Sequence, residues 1–283
     1  MNLKKIFALL ALPSLLFLPS CEKEATGSEP DIEVEATFKL SEDQAISESM
    51  NDDANVVFFE AAATNNLVGA RVNQTFEATQ TLSCATVSVT PQNSFPKTIV
   101  IDFGNGCTSA DGINRKGKIN ITLSDSVRHP GSRAVMTFEN YFIQNYKVEG
   151  TITWTNTSTP NGISWTRQIV QGRVTVPIGG YYWLHEGTKT VVQTAGANTP
   201  LNFLDDVYSV TGSHTVTNPA GKMRTATITE ALIKQVICHN VSKGKIKIQG
   251  PNHFAIVDYG DGTCDNVATI SIDGNPPRTI VLP

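Results

Sequence analysis

The sequence predicts a mainly β fold: a large antiparallel, strongly coiled sheet, shaped as a half-barrel or a sandwich, with one N-terminal helix and two related disulfide-stapled modules. Three observations carry this reading. Long stretches alternate apolar with polar residues at period two, as in Val148-Gly150-Ile152-Trp154 against Lys147-Glu149-Thr151-Thr153 or Ile119-Ile121-Leu123 against Lys118-Asn120-Thr122; an antiparallel sheet with one wet face has this pattern. Turn-forming clusters separate the runs, among them His129-Pro130-Gly131, Asn218-Pro219-Ala220-Gly221 and Asp273-Gly274-Asn275-Pro276-Pro277, and together they delimit about a dozen strands. A cysteine-framed turn occurs twice, as Asp102-Phe103-Gly104-Asn105-Gly106-Cys107 and as Asp258-Tyr259-Gly260-Asp261-Gly262-Thr263-Cys264.

From the N-terminus, Lys4 and Lys5 form a charged region, Ile6 to Leu18 an apolar core, and Leu18-Pro19-Ser20-Cys21 its end. This is a signal peptide over residues 1–20, too short to span a bilayer. Its ending resembles a bacterial lipobox, which implies fatty acylation of Cys21 (a diacyl, palmitate-type anchor). The acidic Cys21-Glu22-Lys23-Glu24 start resembles the surface-export signal of Bacteroidota lipoproteins. Residues 21–40 are expected to be the lipidated cysteine and a flexible acidic tether.

Residues 41–283 are expected to form a single all-β domain led by a helix, with terminal repeat modules at about 75–124 and 232–283. Ser41-Glu42-Asp43-Gln44 has the form of a capping box, and Ile46, Met50, Val57 and Ala61 recur near helical spacing; a helix over about 43–63, ending by Asn65-Asn66, follows. Asp52 and Asp53 are adjacent and cannot face each other on a helix, so they read as a solvated face. Within the strands, Val148-Glu149-Gly150, Val170-Gln171-Gly172 and Val210-Thr211-Gly212 echo one another; glycines lined up across neighbouring strands would bend the sheet.

Cleavage after Ser20 removes two of the 22 basic residues and none of the 26 acidic ones, leaving a net charge near -6. A mildly acidic, unclustered surface argues against nucleic acid as a partner. With Cys21 acylated, four cysteines remain in an oxidising compartment. The two-copy symmetry pairs Cys84 with Cys107 and Cys238 with Cys264: the first cysteine leads the turn aspartate by 18 residues in one copy and 20 in the other, and the second follows it by 5 and 6.

Motifs for chemistry are sparse. The five histidines, His129, His185, His214, His239 and His253, show no metal-ligand spacing, and no nucleophile elbow or phosphate loop is present. No catalytic residues, metal ligands or cofactors are assigned. His185-Glu186 is the only neighbouring His–carboxylate pair, and Asp205-Asp206 could serve a glycosidase but its partner carboxylate is not identifiable. The turn aspartates Asp102, Asp258, Asp261 and Asp265 offer oxygen ligands without an EF-hand pattern. Trp154, Trp165, Tyr181, Tyr182 and Trp183 form a candidate ligand surface for stacking sugar rings, with core packing as the other reading.

Taken together, Ser83-Cys84-Ala85-Thr86-Val87, Phe95-Pro96-Lys97-Thr98, Arg115-Lys116-Gly117-Lys118-Ile119, Phe138-Glu139-Asn140-Tyr141 and both Asp-aromatic-Gly turns resemble a family of uncharacterised Bacteroidota lipoproteins. The resemblance covers most of the chain from about residue 35 onward. It implies localisation and fold and carries no activity. The expected function is a non-enzymatic outer-membrane or cell-surface lipoprotein with a binding or structural role, held to the membrane by its lipid and meeting a glycan or an envelope protein. The alternative is a surface glycan-acting hydrolase, which two carboxylates some 5 to 10 Å apart in one cleft would favour.

Overall fold

The computed structural model describes residues 32–69, 81–199 and 202–283. The signal peptide, Cys21, the tether up to residue 31 and the 75–80 start of the first module lie outside the described residues. The helix α1 spans Ile32–Thr64. It starts earlier than the capping-box pattern suggests, because Ser41 is an interior residue whose Oγ donates to the Thr37 carbonyl at 2.7 Å, the usual mid-helix role of a serine. Residues 32–40 are therefore helix and not tether. The end falls where expected: Asn66 takes a left-handed φ of 57°, its amide donates to Ala63, and Leu67 donates to Ala62, which together form a Schellman cap.

Strands follow in the order β1 Thr86–Thr90, β2 Lys97–Asp102, β3 Cys107–Thr108, β4 Asn114–Leu123, β5 Arg133–Ile143, β6 Tyr146–Asn156 and β7 Ser164–Thr175. They continue as β8 Tyr182–Ala195, β9 Val207–Thr217, β10 Met223–Gln235, β11 Lys243–Gln249, β12 Phe254–Asp261, β13 Val267–Ile272 and β14 Arg278–Val281. All belong to one antiparallel meander in chain order, with β3 set aside on β4, and the end strands β1 and β14 do not pair with each other. A single open sheet selects the half-barrel over the sandwich. Its convex face carries a row of hydroxyls and short polar groups, Thr153–Gln168–Thr188–Ser213–Thr227, in direct cross-strand register from β6 to β10.

The coil of the sheet has a local cause. Register shifts interrupt all seven of the strand pairs between β4 and β11, and each bulge adds right-handed twist. Gly150 and Gly172, from two of the echoed triplets, lie at such shifts, and a Cβ on Gly150 would stand 2.7 Å from the Gly172 Cα. On β8, a Cβ at Gly187 would stand 2.2 Å from the His214 Cβ. These strands approach too closely for any side chain at those points, so the sheet curls there and wraps α1.

Both predicted disulfides are formed, Cys84–Cys107 with Cα atoms 6.1 Å apart and Cys238–Cys264 at 5.1 Å. The two turns they frame are built alike. Asp102 Oδ1 accepts from the Gly104 amide at 2.8 Å and Asp258 Oδ1 from the Gly260 amide at 2.9 Å, while Phe103 and Tyr259 are both buried. In each motif both glycines have positive φ, which L side chains disfavour. The aspartate caps the turn and the aromatic anchors it, so the motif serves the backbone.

Replacing Gly187 with Ala should destabilise the protein by about 1–3 kcal/mol, the usual cost of forcing atoms into a packed contact. Gly162→Ala is the control, because its Cβ would meet nothing within 4 Å and its φ is not left-handed. Urea unfolding of both variants checks this, and equal midpoints would refute the close-approach account.

Candidate functional site

An apolar sheet face would be expected to cover an apolar helix, yet α1 is polar. Asp43 to Asn55 are thirteen consecutive buried residues, more than three turns, so the helix is enclosed on every side. Its buried carboxylates, Ser47 and Asn55 are met by side chains of the wrapping sheet, whereas both side-chain amide atoms of Gln44 have no hydrogen-bond partner. Arg167 on β7 donates to Glu48 at 2.7 Å and to Asp52 at 2.9 Å; Lys189 on β8 also pairs with Glu48. Arg115 on β4 forks onto Asp53, with its Nε 3.0 Å from Oδ2, and reaches Asp111 as well. Trp183 donates to Ser47, Trp154 to Asn55 at 3.0 Å and Tyr181 to Asp43.

These contacts overturn two expectations. Asp52 and Asp53 are not a solvated face: each is buried and aimed at a different arginine, as their 100° separation on the helix allows. Trp154, Trp165 and Trp183, at 4, 3 and 0 % exposure, are core residues and not a ligand surface. Their indole N–H groups are spent inward on Asn55, the Val127 carbonyl and Ser47. Tyr181 is half-buried on Asp43; Tyr182, facing outward, is covered by the Arg173 guanidinium at 3.8 Å. His185 and Glu186 point to opposite faces of β8, the histidine inward and the glutamate outward onto the Gln171 amide. Asp206 is pushed up to about 6 by burial, but both its oxygens are taken, by Gln193 and Tyr208.

Electrostatics within the enclosure follow from burial against pairing. Burial favours the neutral form of Glu48, but Lys189 and Arg167 override it and hold the carboxyl well below the usual range. Asp52, buried beside the Glu48 charge, is raised. His185 is lowered to about 4 by burial and then by Lys189, and His214 is depressed by the same two causes. This cluster has no open volume beyond about 10 Å³, room for one water at most.

Open space lies at the other end of α1. A cavity of about 390 Å³ sits between the helix and the segment after β10, lined by Asp53, Glu60, Asp111, Lys234, Cys238 and His239 among others. Through Val56, Lys234 and Val236 it adjoins an inner chamber of about 40 Å³, walled by Phe59, Trp154, Val191, Tyr208 and Val210. Lys234 is buried, which lowers its ammonium, and it donates to the Cys238 and His239 carbonyls. Glu60 is fully buried: Oε2 accepts from the Thr81 amide and hydroxyl at 2.9 and 2.6 Å, and the Leu82 amide is a further donor to the same carboxyl. Burial raises the carboxyl, against the pull of the Thr81 and Leu82 donors. Glu60 and Lys234 escaped sequence reasoning because neither stands in a motif, and only the wrap of β10 around α1 brings them together.

Two measurements test the enclosure. Arg167→Leu leaves Glu48 with one cation and Asp52 with none, and should cost about 3–5 kcal/mol in urea unfolding; a loss under 1 kcal/mol would mean the pairs contribute no more than surface ones. A histidine whose folded value lies below its unfolded one is protonated first in the unfolded chain. The stability tied to neutral His185 is therefore complete above its ordinary value and is lost as pH falls from about 6.5 towards 4. His185 faces Lys189, Glu48, Arg167 and His214, and its share is ~3 kcal/mol. His185→Leu should flatten the decline of melting temperature across that window, and an unchanged slope would remove His185 from the account.

Comparison with protein-family models, with curated proteins and with solved structures returned no match.

Proposed function

We propose that this chain is a non-enzymatic, lipid-anchored protein of the outer membrane or cell surface that binds a small ligand in the cavity between α1 and the end of β10. The signal peptide and the lipobox-like ending at Cys21 support the anchor. Binding, over a purely structural role, rests on one observation: a cavity of about 390 Å³, within the size range of small-molecule sites, adjoins an inner chamber walled by aromatic and valine side chains together with Asp52, Asn55 and Arg167. Sugar stacking on tryptophan loses its support with all three tryptophans in the core, so the ligand is one that enters a cavity and not one that lies on a platform.

A glycan-acting hydrolase is the second reading, favoured by the carboxylates Asp53, Glu60 and Asp111 along one cavity and by the raised Glu60, as a general acid requires. Against it, both oxygens of Asp53 and of Asp111 are held by Arg115, which leaves no carboxylate free to attack or to activate water.

The test is a thermal-shift screen of the lipid-free domain against glycans, lipids and small amines, acids and alcohols, with tryptophan emission as a second readout because Trp154 lines the inner chamber. At least one compound should raise the melting temperature by several degrees, as expected at about 100 times its Kd. The shift should vanish in Val210→Phe, which fills the chamber. A panel with no such compound overturns binding, and release of nitrophenol from aryl glycosides that is lost in Glu60→Gln would establish the hydrolase. For the anchor, Cys21→Ser should move the protein out of the detergent phase, and full retention there would overturn it.

A further inference from the structure

The meander reverses direction at every turn, so its turns fall into two sets at opposite ends of the sheet. One end carries the turns 144–145, 176–181, 218–222, 250–253 and 273–277. Apart from His253 and the Asp273 it pairs with, their one charged residue is Lys222. The opposite turns, 124–132, 157–163, 196–206, 236–242 and 262–266, hold four aspartates, Asp125, Asp205, Asp206 and Asp265, against the single arginine Arg128. The near-neutral end is also apolar. Ile178, in the turn between β7 and β8, is 87 % exposed, and Met223, at the start of β10, is 57 % exposed. Met223 and the exposed Leu184 of β8 flank Thr217 in direct cross-strand register, so they stand on one face. Isolated apolar side chains on a surface are ordinary; a set gathered on one end marks an interaction site.

The N-terminus of α1 emerges at this same end. Thr37 Oγ1 accepts from Arg224 at 3.1 Å, Glu33 accepts from the amide and the Nδ2 of Asn252, and Glu35 pairs with Arg278 at 3.1 Å. Lys39 pairs with Glu42 at 2.8 Å. Ile32, beside these partnered acids, is 75 % exposed. Eleven residue steps separate it from Cys21, at most about 40 Å of extended chain. We propose that this end of the domain rests on the lipid bilayer, with Ile178, Met223 and Ile32 in the headgroup region. The proposal rests on the anchor reading above and adds which surface meets the membrane. A near-neutral rim enters the interface by burying apolar area, whereas the opposite end would have to strip water from its aspartates. Tyr181 and Tyr182, half-buried just behind the Ile178 tip, stand where aromatic rings favour the membrane interface. The segment 236–242 that walls the cavity belongs to the opposite end, so a ligand reaches the cavity from the aqueous side.

The experiment places a fluorophore on Ile178→Cys, or on Asn161→Cys at the opposite end, in the acylated chain reconstituted into phosphatidylcholine vesicles that carry nitroxide-labelled lipid. Both positions are exposed, so neither change disturbs packing. The label at 178 should be quenched several-fold more than the label at 161. Ile178→Asp should at least halve the quenching of a label on Ala220→Cys, in a turn of the same end. Equal quenching at 178 and 161 in a chain that floats with the vesicles overturns the proposal and leaves the anchor standing. Quenching that appears only when phosphatidylglycerol is added makes attraction of cations the cause and overturns it too. A chain that does not float refutes the anchor instead. The same two labels on a Cys21→Ser chain, held by an N-terminal histidine tag on nickel-chelating lipid, then decide the rim by itself: stronger quenching at 178 supports it, and equal quenching overturns it.

Discussion

Arg167 reaching both Glu48 and Asp52 is the contact on which the architecture depends, because it satisfies two carboxylates that the sheet has removed from water. Taking one ion out of water costs several kcal/mol even after relaxation, and α1 carries four buried carboxylates between Asp43 and Asp53. Such a helix is tolerable only in one rotation and one height within the sheet. Asp43 must meet Tyr181, Ser47 must meet Trp183, and Asn55 must meet Trp154. A slide of one turn would leave each donor facing the wrong residue. An apolar helix of equal size would be held as tightly but could settle at several heights, so the buried charges serve specificity of docking more than net stability.

The sheet must then curl enough to bring donors from β4, β7 and β8 onto one helix. Flat antiparallel sheets do not do this. Here the curl comes from close approaches at Gly150, Gly172 and Gly187 and from register shifts beside them, and the same glycines leave room for His185 and His214 within the wall. The sheet stays open, so among the described residues its end strands β1 and β14 each pair on one side only, leaving edges of the kind that invite association. The disulfides lie towards these two ends, one tying the approach to β1 to β3 and the other tying the segment before β11 to the segment after β12. Each crosslink removes unfolded-state freedom where the ladder has fewest neighbours.

What the sequence revealed and what it concealed divide along a physical line. Period-two alternation is a local signal, and it located the strands. The duplicated turn is also local, because its aspartate and glycines act on backbone within a few residues, and the cysteine pairing followed from its repetition. The helix misled for a reason. Amphipathic reading assumes that polar residues face water, but in α1 buried carboxylates face Arg115, Arg167 and Lys189, which lie 62 to 141 positions away in the chain. No local pattern distinguishes a solvated aspartate from one matched across such a distance. The tryptophans show the converse: Trp154 and Trp183 were read as ambiguous because alternation places them on one face without saying which, and their indole donors decide it by finding partners on the helix.

The same reasoning explains why the open volume lies where it does. Along most of α1 the side chains of the wrapping strands fill the gap, leaving only about 10 Å³ beside Glu48 and His185. At the end of β10 the chain leaves the sheet, and the segment carrying Ile237, Cys238 and His239 bows outward before β11 begins. Lys234 fastens that segment from within through two carbonyls, and the Cys238–Cys264 bridge fastens it from without. The wall of the cavity is thus tied at two points by bonds that do not depend on a ligand. A site held open in this way spends little ordering entropy on binding. Glu60, held by the Thr81 donors and the Leu82 amide, is fixed in the wall of that preformed space.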